Sequence, residues 1–263
     1  MSFRLKSLSD LYKNLGAYDA IVELTEIAIL DFIANGSRVS SFNQFLILKS
    51  AEHKIKVNSI QMDVFRSRIS QGYILSVYQS AEAFFYDFKG QIEELTGEKI
   101  LIDNTNDDFL TRLIRKISTH KEVTEVVGEF RLSLFNYYRI IRNKYSHDRI
   151  EESKVKDVYK KLSKYKDEIR AEYPNLSAPN EFENVSFDDF ILFSRVVKDI
   201  ANGLNQLAKP SLETIAAYYT RANVVKKYKD NSKRKTNALR AHINDKFGLD
   251  GAELEQVIEI LSR

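Results

Sequence analysis

The sequence predicts an all-α fold, and two observations predict it. Only three prolines and nine glycines punctuate 263 residues. Apolar residues recur mostly at three- and four-residue intervals, the spacing that gathers side chains on one face of a helix. Hydrophobic residues make up 43% of the chain and charged residues 29%, which suits a packed domain with a sizeable core and not a disordered chain.

Residues 8–33 read as one or two amphipathic helices carrying Leu11, Leu15, Ala20, Ile21, Leu24, Ile27, Ala28 and Phe32, with Asn35-Gly36 as the stop. Residues 40–50 give a short apolar helix around Phe42, Phe45, Leu46 and Leu48. The longest helix is expected over 58–95, on a face of Ile60, Val64, Ile69, Ile74, Val77, Tyr78, Ala81, Phe84, Phe85 and Phe88. Gly72 weakens its middle by about 1 kcal/mol relative to alanine, and Gly97 ends it. The aspartates of 104–108 cap a helix over 109–118. A helix over 122–147 follows, with Val123, Val126, Val127, Phe130, Leu134, Tyr137, Tyr138, Ile141 and Tyr145 as its stripe.

Residues 154–172 turn Val155, Val158, Tyr159, Leu162, Tyr165 and Ile169 inward and their lysines outward. Residues 173–180, with Pro174 and Pro179, are the clearest loop. Ser186 followed three residues later by Asp189 is a capping-box pattern, with aspartate for the usual glutamate. It opens a helix that ends or kinks at Pro210. A further helix covers 212–229, a basic linker 230–236, and two short helices 238–247 and 252–261. The organisation expected is an N-terminal helical segment over 1–57 packing on a bundle over 58–229. A basic linker and a C-terminal helical pair follow over 230–263, too small to be stable without packing on something and suited to oligomerisation or docking.

Composition excludes several kinds of chemistry. With no cysteine there is no disulfide and no thiolate zinc or iron–sulfur site. The four histidines are scattered, so no metal site is expected, and neither a Walker loop nor a dinucleotide fingerprint is present. No cofactor is predicted. No apolar stretch approaches the roughly 18 residues of a spanning helix, and the first residues lack the apolar run of a secretory signal. A cytoplasmic protein without membrane association is the expectation. The net charge of +3 is small but unevenly spread. Residues 226–240 hold Lys226, Lys227, Lys229, Lys233, Arg234, Lys235 and Arg240 against Asp230 alone, a candidate for phosphate contacts or a solvated linker.

The candidate site is Arg142-Asn143-Lys144-Tyr145-Ser146-His147, at the end of the most aromatic apolar run in the chain. Arginine offers a fixed fork of donors suited to a phosphate. Histidine takes or gives a proton near neutral pH. An RNA 2′-hydroxyl attacking its own phosphate needs a base, an acid and stabilisation of the charged phosphorane. Arg142 and His147 cover these roles without metal, especially if two copies meet across a dimer axis. Asn143 and His147 share a helix face at four-residue spacing, whereas Arg142 lies roughly 140° from His147 on an ideal helix. A helix that loosened near Ser146 would ease their approach.

At these residues the chain resembles the HEPN superfamily (higher eukaryotes and prokaryotes nucleotide-binding). Its signature is R-x4–6-H, with a polar residue usually next to the arginine, and Arg142-Asn143-x-x-x-His147 has that form. The resemblance covers 58–229. It implies an all-α bundle with the motif on a late core helix, and metal-independent endoribonuclease activity in a homodimer with a composite site. It also implies a toxin or antiviral-defence role, under an antitoxin or sensor protein. Arg142 then binds the scissile phosphate, His147 serves as acid or base and Asn143 positions phosphate or histidine. The alternative is a non-catalytic HEPN-like adaptor that binds a nucleotide or a protein.

Supporting residues are weaker candidates. Glu82 is placed to orient Arg142 or His147, or else faces solvent. Tyr145 and Tyr138 flank the motif as base-stacking platforms or as core. Arg139 and Arg149 add to a phosphate-attracting patch or pair with Asp148, Glu151 or Glu152. His53, His120 and His242 have no partners at metal-ligand or triad spacing and read as surface residues.

Overall fold

The computed structural model describes residues 3–39, 41–57, 61–105, 107–147, 150–222 and 232–262. Over these residues the chain is all-α, without a strand. The first half holds α1 (Lys6–Gly36), α2 (Phe42–His53), α3 (Met62–Thr96), α4 (Phe109–Ile117), α5 (His120–Val127) and α6 (Glu129–His147). The second half holds α7 (Glu152–Lys161), α8 (Lys166–Glu172), α9 (Phe187–Leu207), α10 (Leu212–Ala222), α11 (Ser232–Phe247) and α12 (Gly251–Ser262). Among the described residues no helix is long and apolar enough to cross a membrane.

Local chemistry explains most boundaries. Asp108 caps α4 by accepting from Thr111 N at 3.1 Å. The α3 helix runs through Gly72 and stops at Gly97, whose φ of +80° only glycine adopts freely. Gly36 ends α1 for a different reason. A Cβ there would lie 2.4 Å from the Phe42 ring, so the missing side chain lets α2 close onto α1.

Three boundaries depart from the periodicity. The helix expected over 122–147 is two helices. Thr119 and Glu122 form a complete capping box that opens α5, and Gly128 at φ +88° closes it before α6 begins. The helix expected over 154–172 is broken by a 3-10 turn, Leu162–Tyr165, which keeps Leu162 buried. And α11 begins at Ser232, inside the stretch read as linker. Polar composition is not a helix stop. Lysine and arginine are good helix formers, and α11 contains neither proline nor glycine. The rest of that linker and the end of the helix expected over 212–229 lie outside the described residues.

The chain divides into two compact units, neither contiguous in sequence. The first comprises Met1–Lys13, Gln79–Ser133 and Val196–Arg263. The second comprises Asn14–Tyr78 and Leu134–Arg195. In the first, Asn205 fixes the chain start: its Oδ1 accepts from Leu5 N at 2.9 Å and its Nδ2 donates to Phe3 O at 3.0 Å. Phe247 of α11 stacks on Phe3 at 6.2 Å and meets Tyr218 edge-on, so the C-terminal helical pair packs into this core. In the second unit Ile74, Val77, Leu134, Tyr137, Tyr138, Ile141, Phe190 and Phe193 are fully buried. Truncating one of those phenylalanines to alanine costs about 3–5 kcal/mol.

Candidate functional site

The motif rides on the C-terminal half of α6, within the second unit. Phe135, Tyr138 and Arg142 stand three and four residues apart and share one helix face. That face is a column of rings. Phe193 packs on Phe135 with centroids 5.9 Å apart, and Phe135 stacks on Tyr78 at 5.7 Å. The Arg142 guanidinium caps the column, 4.5 Å from the centre of the Tyr78 ring. A cation over a tyrosine face is held by the ring quadrupole. Arg142 Nη1 also donates to Asn143 Oδ1 at 2.8 Å. Asn143 therefore sets the in-plane direction of the arginine fork while Tyr78 sets its tilt.

Below the arginine, α6 is tied down by a buried carboxylate. Asp189 is fully buried at the start of α9. It accepts from Tyr138 OH at 2.9 Å, Asn180 N at 2.9 Å, Asn180 Nδ2 at 2.8 Å, Ser186 N at 2.9 Å and Ser186 Oγ at 3.1 Å. The bond from Ser186 N is the carboxylate half of the capping box expected there; the others are additional. Burial pushes the Asp189 carboxyl above the ordinary aspartate range, against the pull of these donors. The Tyr138 hydroxyl is likewise pushed up by burial. Tyr137 adds a second tie, donating its hydroxyl to Asn180 O.

The end of α6 is open. The helix stays regular through His147, so it does not loosen near Ser146. His147 is exposed and, among the described residues, takes no hydrogen-bond partner. It sits in the last turn of α6. The two outer members of the motif are about 7.5 Å apart along the axis. Tyr145 is half-buried, and a Cβ built on Gly72 would lie 3.7 Å from its hydroxyl, so Tyr145 leans on α3 as part of the wall. Tyr138 belongs to the core. Arg139, one turn before Arg142, is half-buried and donates to Asn136 Oδ1 at 2.7 Å.

The remaining candidates are dispersed. Glu82 is half-buried on the part of α3 that belongs to the first unit. Lys233, Arg234 and Lys235 are exposed near the start of α11. A helix N-terminus disfavours cations, so this triplet is not placed there for helix stability. Arg149, Lys226 and Lys227 lie outside the described residues. His53, His120 and His242 are at the surface; His53 and His120 meet neighbours on their own helices, whereas His242 Nδ1 lies 2.7 Å from Tyr219 OH. No motif spacing announces that pair, because the two residues sit on different helices.

A cavity of about 690 Å³ opens in the second unit between α7, α8 and the loop before α9, with Tyr159, Lys160, Lys166, Arg170 and Phe182 on its walls. Arg142, Asn143 and His147 do not line it. Among the described residues no three histidine, aspartate or glutamate side chains gather as a metal site would require.

No family model, curated protein or solved structure matches this chain. The chemistry of the site therefore stands on its own residues and on the motif they spell.

Proposed function

We propose that the protein is a HEPN-type endoribonuclease that cleaves RNA without a metal ion, by attack of a 2′-hydroxyl on the adjacent phosphate. The observation that carries this reading is the state of α6. It holds one arginine preset on a tyrosine face and, one turn on, an exposed histidine in the spacing of the R-N-x-x-x-H motif.

The 2′-oxygen bonds to phosphorus while its proton passes to a neutral imidazole. The bond from phosphorus to the 5′-oxygen breaks, and a protonated imidazole supplies the proton to that oxygen. The products are a 2′,3′-cyclic phosphate and a 5′-hydroxyl. Base and acid are two different imidazoles, so His147 of two copies in a homodimer fits the requirement. Arg142 faces the charge that grows on the non-bridging oxygens, and Asn143 keeps its fork aimed. A toxin or antiviral-defence effector, controlled by an antitoxin or sensor protein, is the biological role that matches such an activity.

The test is incubation of end-labelled RNA with purified protein in EDTA. Wild type is expected to leave cyclic-phosphate ends. His147→Ala should lower the rate by about 10²–10⁴-fold, the usual worth of a positioned acid or base. Arg142→Ala should lower it by about 10²–10³-fold. Cleavage that survives both substitutions removes the site from consideration. Binding of RNA or of a nucleotide with no cleavage, and no toxicity on expression, identifies an adaptor instead.

A further inference from the structure

Helix α1 is apolar on two separate faces. One face is buried: Leu15 and Val22 are inaccessible, Tyr18 packs edge-on against Phe190, and Glu26 is held by Arg66 at 3.4 Å. A second face, roughly 125° further round the helix, carries Asn14, Ala17, Ile21, Leu24, Ala28 and Asp31, all exposed. Ile21 is 63% exposed and Leu24 68%, with Ile27 beside them at 57%. An isolated exposed leucine needs no explanation, but a continuous aliphatic stripe on one helix does. The stripe also has a register. Its members alternate three and four residues apart, the a and d positions of a coiled-coil seam, with Ala20 and Ile27 flanking it.

We infer that this face of α1 pairs antiparallel with the same face of a second copy of the chain. Three features select that occupant. The seam is self-complementary when reversed about the point between Val22 and Glu23. Ile21 then meets the partner's Leu24, Ala17 meets the partner's Ala28, and Asn14 meets the partner's Asp31. The alanines at both ends allow close approach, and the amide of Asn14 satisfies the carboxylate that interrupts the stripe. A parallel pair would instead set the two Asp31 carboxylates against each other. Finally, the aliphatic surface exposed on two copies is on the order of 1,000 Å², which reaches the size that separates specific interfaces from casual contacts. The pairing rests on α1 alone and not on the ribonuclease reading.

The experiment uses the whole chain and never measures RNA. Sedimentation velocity is expected to show a dimer at about 10 μM. Ile21→Glu combined with Leu24→Glu should weaken it by about 100-fold or more, with the far-ultraviolet spectrum unchanged because both side chains face solvent in one copy. The chain has no cysteine, so introduced thiols report cleanly. Residues 17 and 28 are roughly 16 Å apart along one helix, too far to bond within a copy. The double variant Ala17→Cys with Ala28→Cys should oxidise to a covalent dimer, and Ala17→Cys alone should not. A wild type that stays monomeric at about 100 μM overturns the pairing. So does a dimer that survives both glutamates. A disulfide through Ala17→Cys alone overturns the antiparallel arrangement. The thiol variants decide the question if the glutamate variant fails to fold.

Discussion

Two carboxylates in this protein each hold a tyrosine, and they do it under opposite conditions. Asp189 in the second unit is fully buried, surrounded by neutral donors and raised in pKa by burial. Glu94 in the first unit is half-exposed. It accepts from Tyr218 OH at 2.9 Å and from Lys246 Nζ at 2.8 Å, and these donors, the lysine foremost, lower its pKa. One network positions a helix through desolvated hydrogen bonds. The other trims a surface with an ion pair. The difference teaches where rigidity is concentrated: beneath Arg142, one turn from the motif, and not around His242, whose tyrosine partner shares the first unit with Glu94.

The largest effect that would break this contrast is in Asp189. Asp189→Ala strands five donors and should cost about 3 kcal/mol or more in urea denaturation. It should also release Tyr138 and so lower RNA cleavage. A loss below 1 kcal/mol would mean that the network is not holding α6. Tyr138→Phe removes one donor and leaves four, and should cost about 1–2 kcal/mol by the same measurement. Lys246→Met opens the part-exposed ion pair with Glu94 together with the hydrogen bond to Tyr218 OH, and should cost about 1 kcal/mol, with RNA cleavage unchanged.

The smallest effect is the sharpest, because the two carboxylates respond to pH with opposite sign. Asp189 is raised, so its contribution is fully present below the ordinary aspartate pKa of 3.8 and is lost as pH climbs through the folded value. Glu94 is lowered, so its contribution is present above the ordinary 4.5 and is lost as pH falls through the folded value. Asp189→Asn should therefore steepen the rise of stability between about pH 3 and 6, and Glu94→Gln should flatten it. Identical slopes in the two variants would dissolve the comparison. A third carboxylate serves as a calibrant: the capping hydrogen bonds from Ser118 and Thr119 draw Glu122 down to about 2, a value that carboxylate NMR titration reads directly.

The all-α class and most helices were legible because periodicity and caps are local. The motif was legible for the same reason, since Arg142, Asn143 and His147 fall within one helix. What lay beyond reach was every partner distant in sequence. Tyr78 reads as one more aromatic on a long apolar face, and only packing shows it as the platform under Arg142. The capping-box pattern found the bond between Ser186 and Asp189 but not the bonds from Tyr138 and Asn180, which no spacing encodes. The break at Gly128 was hidden by valines and phenylalanine on both sides, whose stripe continues as if the helix did. The outer face of α1 was visible as apolar residues, but which of them face solvent depends on what packs on the other side.

The bonds at Asp189 also bear on how the molecule opens. Tyr138 of α6 and the backbone amides of Asn180 and Ser186 share one acceptor. None of them can be released without leaving the others facing a desolvated charge. In hydrogen-exchange terms the motif helix and the loop before α9 then belong to one cooperative unit, and their amides should become exchangeable together. Any agent that loosens that distant loop would reach the arginine without touching it.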